Sequence, residues 1–157
     1  MNAGAAAATG EWLLFLHADS ELPEGWLQTF QSNTSGADGG WFKFALDDGA
    51  WQARVIERGV AWRVRYLRLP YGDQGIFVRR SLFEELRGYR EMPLMEDVDF
   101  VRRLVRHGRV VELPATMRTS ARRWRRDGWF RRSARNVALL TLFFLGVSPA
   151  RLARWYG

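Results

Sequence analysis

Four consecutive apolar residues at positions 13–16, Leu-Leu-Phe-Leu, constrain the fold of this chain more than any other stretch. No polar residue alternates with them, and this pattern is typical of a strand covered on both faces, as in a mostly parallel sheet. His17 and Asp19 follow directly, and Pro23 ends the segment. Ligands of open α/β sheets gather beyond the carboxyl ends of strands, so this His-x-Asp predicts a metal or phosphate site. The alternative is that Asp19 only caps a turn before the next helix.

The chain alternates predicted strands and helices as far as residue 136, which indicates the α/β class. We find no internal repeat and no linker, so the 157 residues are expected to form one domain, with an α/β body over 1–124 and helices over 125–157. The patterns predict helices at 1–8, 23–31, 50–68, 81–86 and 96–107, strands at 12–16, 41–46, 76–78 and 110–113, and a short extended piece around Met117.

Composition excludes several kinds of site and favours anionic ligands. With 47% hydrophobic residues the chain can build a core, and without cysteine it has no disulfide, no thiol nucleophile and no cysteine zinc site. The formal charge is +7, and Lys43 is the only lysine. Arginine suits phosphate, so the bias indicates phosphorylated ligands, nucleic acid or an anionic membrane surface. A coding preference of the genome would explain it equally well.

The last third of the chain joins an arginine cluster at 122–135 to an apolar run at 137–147. The run is shorter than the about 20 residues that a helix needs to cross a bilayer. We therefore expect it to pack on the body of the protein. The alternative is a helix lying in the membrane interface behind its arginines.

Glu96 and Asp97 begin a predicted helix, and two interpretations fit them. Acidic residues in a first turn complement the helix dipole and cap free N–H groups. A carboxylate at the edge of a cleft can instead take a proton from an attacking hydroxyl group.

Two further polar groups have the same ambiguity. Arg123 and Trp124 could hold a diphosphate and stack on a sugar or base, or they could belong to a solvated basic loop. Asp73 and Gln74 stand between two glycines, which permit close approach of a ligand but also form plain turns.

Taken in order, these pieces resemble the family-2 glycosyltransferases of the GT-A fold. The segments that carry the resemblance are "NAGAAAATGEWLLFLHAD", "GDQGIFVRRSLFEELRGYREMPLMEDVDFVRRL" and "TSARRW". More narrowly, the chain resembles a small bacterial subgroup known as radical-SAM- or selenodomain-associated transferases. The resemblance implies a Rossmann-related α/β fold, with a mixed, mostly parallel sheet flanked by helices and a helical C-terminal segment.

The resemblance also implies a donor site. The Asp-x-Asp element of the family holds Mn²⁺ or Mg²⁺ on the nucleotide diphosphate, and that role falls to Asp19 as the metal ligand. His17 occupies the first acidic position, where an imidazole can bind ribose, phosphate or metal but cannot supply the missing charge. Arg123 and Asn2 are implied as further groups that bind the donor diphosphate.

The remaining implied roles concern transfer itself. Asp97 corresponds to the base that activates the acceptor hydroxyl, with Glu96 in support, and direct attack with one base implies inversion. Asp73, Gln74 and Trp124 are implied as contacts to the sugar or acceptor. Ser120 stands where processive relatives have glutamine, so processive synthesis is not expected.

We therefore expect an inverting, metal-assisted glycosyltransferase that uses a nucleotide-diphospho-sugar donor. Its acceptor stays open, with a lipid-linked acceptor as one candidate. The expected location is the cytoplasm, with contact at the inner face of the cell membrane as an alternative, and no nucleic acid partner is expected. The rival hypothesis is a basic, non-catalytic module that binds nucleic acid or an anionic membrane surface.

The resemblance begins part-way into the family's domain. A full GT-A domain opens with further βα units and a loop that clasps the nucleobase, and none of these precedes Met1. We therefore expect an N-terminally truncated domain. Loss of those strands would expose the flank of the strand that ends at Asp19, so self-association or aggregation is expected.

Overall fold

A five-stranded sheet with helices on both faces forms the body of the protein in the computed structural model, which describes residues 1–156. The strands are β1 (Trp12–Phe15), β2 (Ser20–Glu21), β3 (Gly39–Leu46), β4 (Ile76–Arg79) and β5 (Val110–Thr119). The helices are α1 (Asn2–Ala7), α2 (Trp26–Asn33), α3 (Trp51–Leu67), α4 (Arg80–Glu85), α5 (Glu96–His107), α6 (Arg122–Asp127), α7 (Trp129–Phe144) and α8 (Pro149–Tyr156), with one 3₁₀ turn at Gly72–Gln74.

The sheet is mixed and mostly antiparallel, so the predicted mostly parallel sheet is wrong. Its order is β1-β4-β3-β5-β2, and only β3 and β5 run parallel. Leu13 and Phe15 of β1 enter the core on one face, and Trp12 and Leu14 enter the core on the other. The strand therefore packs on both faces, as predicted, although Leu16 at the end of the apolar run is 43% exposed. The run carries no information about the direction of the neighbouring strand.

β5 is one long strand, where the sequence predicts two short pieces separated by Pro114. Its register with β3 shifts at this proline: Phe42 pairs with Leu113, and the next residue, Lys43, pairs with Thr116. Proline has no N–H to donate, so an irregularity in the ladder accommodates it without ending the strand. The strand then continues to Thr119, which it delivers to the end of the sheet where the predicted site residues lie.

The helices bury apolar stripes against the two faces of the sheet. α5 matches its predicted bounds, and its apolar residues at helical spacing, including Val101 and Leu104, are fully buried beside Ile76. On the other face α2 covers Phe77, whose ring meets Phe30 edge to face at 5.2 Å. The sequence patterns did not predict β2 or the 3₁₀ turn, since both are only two or three residues long.

One face of the apolar run at 137–147 packs against the body, as expected, whereas Val137, Phe144 and Leu145 stay exposed. It lies mostly in α7, where Leu139 and Leu140 are buried and α3 is a neighbour. Among the helices of residues 1–156, none is both long enough and apolar enough to cross a bilayer.

Candidate functional site

Strand pairing brings distant parts of the sequence to one end of the sheet. Phe15 at the end of β1 pairs with Ile76, directly after the 3₁₀ turn, and Ser20 pairs with Thr119 at the end of β5. Antiparallel pairing therefore places the His-x-Asp segment beside the 3₁₀ turn. The first turn of α5 joins them, because the backbone N–H of Gly72 donates to the Asp97 carboxylate at 2.9 Å.

A polar cavity of about 140 Å³ lies where these elements meet. Six of the nine predicted site residues line it, which unites the His-x-Asp, Glu-Asp and Arg-Trp groups in one place. The lining residues are His17, Asp19, Tyr71, Asp73, Asp97, Thr119, Arg123, Trp124, Arg132, Asn136 and Tyr156.

Asp97 is held rigidly at the start of α5. Its Oδ2 accepts from the N–H of Gly72, and its Oδ1 accepts from the N–H of Val98 at 2.7 Å. Met95, before the helix, has a positive φ of 69°, which turns the chain into the helix at this point. These contacts leave the carboxylate fixed at the cavity wall, with lone pairs still free for a hydroxyl group.

Asp73 is the most perturbed carboxyl group of the cavity. Its Oδ1 is buried and has no hydrogen-bond partner among the described residues, whereas its backbone carbonyl accepts from Thr119 Oγ1 at 3.2 Å. Burial raises the pKa of Asp73 from 3.8 to about 6; the charges of Arg63 and His17 oppose that effect, and those of Asp97 and Asp19 add to it. A buried acceptor without a partner, on the wall of a polar cavity, is a natural contact for a hydroxyl-rich ligand.

Asp19 and His17 occupy the loop that joins β1 to β2. Arg123 Nε lies 3.5 Å from Asp19 Oδ2, and the backbone carbonyl of Asp19 accepts from the N–H of Ser120 at 2.8 Å. His17 lies over Gly72, so closely that a Cβ on that glycine would stand 2.4 Å from Nε2. Only glycine leaves room for the imidazole at this position.

Trp124 closes the cavity on the side of α7. The guanidinium of Arg132, itself a buried residue, lies 5.0 Å from the centre of the indole ring. Trp124 Nε1 and Arg132 Nε are both buried without partners among the described residues. Two cationic groups, Arg123 and Arg132, therefore face the three carboxylates across the cavity.

The family model described as glycosyl transferase family 2 matches residues 1–87, more than half of the chain. The chain belongs to glycosyl transferase family 2. No curated protein matches it.

Membership of glycosyl transferase family 2 indicates a glycosyltransferase that acts on a sugar donor. The matched residues include His17, Asp19 and Asp73, whereas Asp97 and Arg123 lie beyond them. The structure nevertheless places these five side chains around one cavity.

Three predicted site residues of this glycosyltransferase lie outside the cavity. Glu96 precedes Asp97 in α5 but does not line the wall. Asn2 uses its side-chain amide on the backbone of Tyr89, donating to the carbonyl at 2.8 Å and accepting from the N–H at 3.0 Å. Gln74 is buried and donates to the carbonyl of Phe42 at 3.1 Å. It therefore braces the 3₁₀ turn that presents Asp73.

Five lining residues were not among those predicted from the sequence: Tyr71, Thr119, Arg132, Asn136 and Tyr156. Tyr71 adjoins the Gly-Asp-Gln-Gly segment and could have been found from it. Burial raises the pKa of the Tyr71 phenol, although the Arg63 guanidinium, 3.4 Å from its ring centre, opposes that effect. Arg132 and Asn136 come from α7, whose orientation the sequence pattern does not specify.

The sequence predicts a divalent metal ion at Asp19. Residues 1–156 contain no group of three histidine, cysteine, aspartate or glutamate side chains arranged around a metal position. A Mg²⁺ ion, however, usually keeps several waters and takes one or two carboxylates plus substrate phosphates. Asp19, half-buried beside His17 at the cavity, fits that mode as a single carboxylate ligand.

A cavity of about 680 Å³ lies between α3 and the β3–β5 pair, and none of the three carboxylates of the site lines it. In the cluster, Arg125 pairs with Asp48, and Arg126 and Arg132 both pair with Asp127. Internal pairing of these arginines weakens the hypothesis of a purely basic binding module.

Proposed function

We propose that this family-2 glycosyltransferase is an inverting enzyme that moves a sugar from a nucleotide-diphospho-sugar to an acceptor hydroxyl, assisted by a divalent cation. The observation that carries the proposal is the meeting of Asp19, Asp73, Asp97 and Arg123 at one cavity. Such a set supplies a cation anchor, a base and a cationic contact for a leaving diphosphate. The motifs "FLHAD", "GDQG", "LMED" and "SARRW" support the narrower bacterial subgroup.

Asp19, His17 and Arg123 would receive the donor. Asp19 would hold Mg²⁺ or Mn²⁺, which when bound neutralises negative charge on the diphosphate as it departs. Arg123 is half exposed, with Nε near Asp19, so its planar fork is free to turn towards phosphate oxygens. His17 adds a neutral nitrogen for ribose or phosphate.

Asp97 is the proposed base. The acceptor oxygen would form a bond to the anomeric carbon while the bond from that carbon to the diphosphate breaks, and Asp97 would accept the hydroxyl proton. One base on the face opposite the leaving group gives inversion. The hydrogen bond from Gly72 fixes the carboxylate for this step, and Glu96 supports it as the neighbouring acidic residue.

Asp73 and Trp124 are proposed contacts to the sugar or acceptor. Asp73 Oδ1 is a buried acceptor and Trp124 Nε1 is a buried donor, and neither has a partner among the described residues. Sugar hydroxyl groups can satisfy both. Gln74 is placed as a residue that positions Asp73, because it binds the carbonyl of Phe42. We further propose action in the cytoplasm, at the inner face of the membrane when the acceptor is membrane-bound.

The test is transfer or hydrolysis of UDP- and GDP-sugars in the presence of Mn²⁺, with product anomers assigned by NMR. Asp97→Asn keeps an oxygen for the Gly72 N–H, loses the acceptor for the Val98 N–H and removes the base, so turnover should fall by about 10²–10⁴ at unchanged nucleotide affinity. Asp47→Asn, at an exposed carboxylate outside the cavity, is the control. A retained anomeric configuration, or full turnover in Asp97→Asn, would contradict the proposal.

A further inference from the structure

A second cavity, of about 440 Å³, opens between α3 and α7. We name it the α3–α7 groove. Its size falls in the range of about 300–1,000 Å³ that is usual for small-molecule sites. Most of its lining is apolar and includes Val55, Ile56, Trp62, Val137 and Phe144, with Gly59 on the side of α3.

The α3–α7 groove is continuous with the catalytic cavity. Tyr71, Asp73, Trp124 and Asn136 line both. An occupant that follows the groove inwards therefore ends beside the carboxylates proposed for transfer. Of the lining side chains only Arg63 and Asp73 are charged, and Arg63 already donates to the carbonyl of Leu69 at 2.8 Å.

Large apolar side chains stay exposed along this groove. Trp62 is 59% exposed, Val137 is 61% exposed and Phe144 is 47% exposed. Soluble proteins rarely leave such side chains grouped at one place without a partner. Contiguous exposed apolar surface beside a reactive site indicates a ligand with an apolar body.

A second neighbour of the catalytic cavity has the contrary chemistry. A cavity of about 450 Å³ is lined there by arginines, together with Asp127 and Tyr156. It shares Arg123, Arg132 and Tyr156 with the catalytic cavity. The anionic donor is therefore matched by one flank and an apolar acceptor by the other.

We infer that the α3–α7 groove binds the apolar chain of the acceptor, and that the acceptor is a lipid alcohol whose hydroxyl end reaches Asp97. This inference rests on the proposed function, since it names the acceptor of the same reaction. A second protein chain fits less well. The groove opens into the cavity that contains Asp97, the proposed base. An acceptor that lies in the groove therefore ends in a hydroxyl group at that cavity.

The experiment uses the full chain and dibromostearoyl glycerol, a single-chain lipid with a hydroxyl headgroup and a quencher in its chain. Trp62 and Trp124 line the groove, so bound lipid should quench tryptophan fluorescence saturably below its aggregation concentration. Stearoyl glycerol without bromine should compete and should not quench.

Gly59→Phe fills the groove, and Gly49→Phe is the matched control outside it. A Cβ at either glycine meets no atom within 4 Å, and helix α3 gains from loss of a glycine at 59. Gly59→Phe should weaken lipid binding about tenfold or more, whereas Gly49→Phe should leave it unchanged. The same proteins are titrated with UDP and GDP in the presence of Mn²⁺, without lipid.

Nucleotide binding without lipid quenching would overturn the lipid acceptor and leave the proposed function standing. Lipid quenching without nucleotide binding would overturn the proposed function and, with it, the role of the lipid as acceptor. Lipid quenching that Gly59→Phe leaves unchanged would place the lipid elsewhere. A dimer that Gly59→Phe dissociates, with no lipid bound, would assign the groove to a second copy of the chain.

Discussion

Asp73→Asn should stabilise this protein at neutral pH and impair its activity. Asp73 Oδ1 is buried without a partner, and burial raises the pKa of this carboxyl group from 3.8 to about 6. A pKa raised by folding means that the folded state binds the proton more tightly. The penalty for the buried charge is therefore complete above pH 6 and absent below pH 3.8.

The magnitude follows from the size of that change. At about 1.36 kcal/mol per pKa unit, the ionised Asp73 carboxylate costs the folded state about 3 kcal/mol above pH 6. An asparagine carries no charge, but its amide still needs a partner, which reduces the gain to about 1–3 kcal/mol. For a chain of this length each kcal/mol corresponds to about 2–4 °C in the melting temperature.

Urea unfolding of the wild type and Asp73→Asn at several values between pH 4 and pH 8 measures this effect. The stability advantage of the variant should grow as the pH rises from 4 to 6 and then stay level, while sugar transfer falls. Asp47→Asn, at an exposed carboxylate, should show no such pH dependence. An advantage that does not change with pH, or a variant less stable than the wild type at pH 8, would refute the argument.

Two further substitutions test residues that hold neighbouring parts of the backbone and side chains in position. Gly72→Ala should displace His17, since the new Cβ would lie 2.4 Å from its Nε2, and weaken nucleotide binding in a fluorescence titration without unfolding the chain. Asn2→Ala should lower the free energy of unfolding in urea by about 1–3 kcal/mol, because it leaves the backbone N–H and carbonyl of Tyr89 unpaired. An additional loss of nucleotide affinity in Asn2→Ala would support its predicted contact with the donor.

Most of the correct predictions about the fold came from the helical spacing of apolar residues. α5 has the predicted bounds because its apolar residues recur at helical spacing and Gly108 ends it. The direction of the strands could not be predicted, since β1 shows only that both its faces are covered. The end of β5 was predicted wrongly at Pro114. The register shift beside it accommodates a residue that has no N–H to donate, and the strand continues to Thr119.

The site was predictable where a motif is local and was missed where the tertiary arrangement supplies it. His17, Asp19 and Asp97 stand at the ends of elements, and the structure brings them to one cavity. Arg132 and Asn136 reach the same cavity from α7, which only packing orients. The raised pKa of Asp73 likewise results from burial, which a short sequence motif does not predict.

The most direct test of the account is a tryptophan-fluorescence titration with UDP and GDP, with and without Mn²⁺, on the wild type and Asp19→Asn. Trp124 lines the cavity and reports on its occupancy. The account predicts saturable binding that needs Mn²⁺ and weakens about tenfold or more in Asp19→Asn. Binding of equal strength without Mn²⁺ and in Asp19→Asn would contradict it, as would no binding by a chain that circular dichroism shows to be folded.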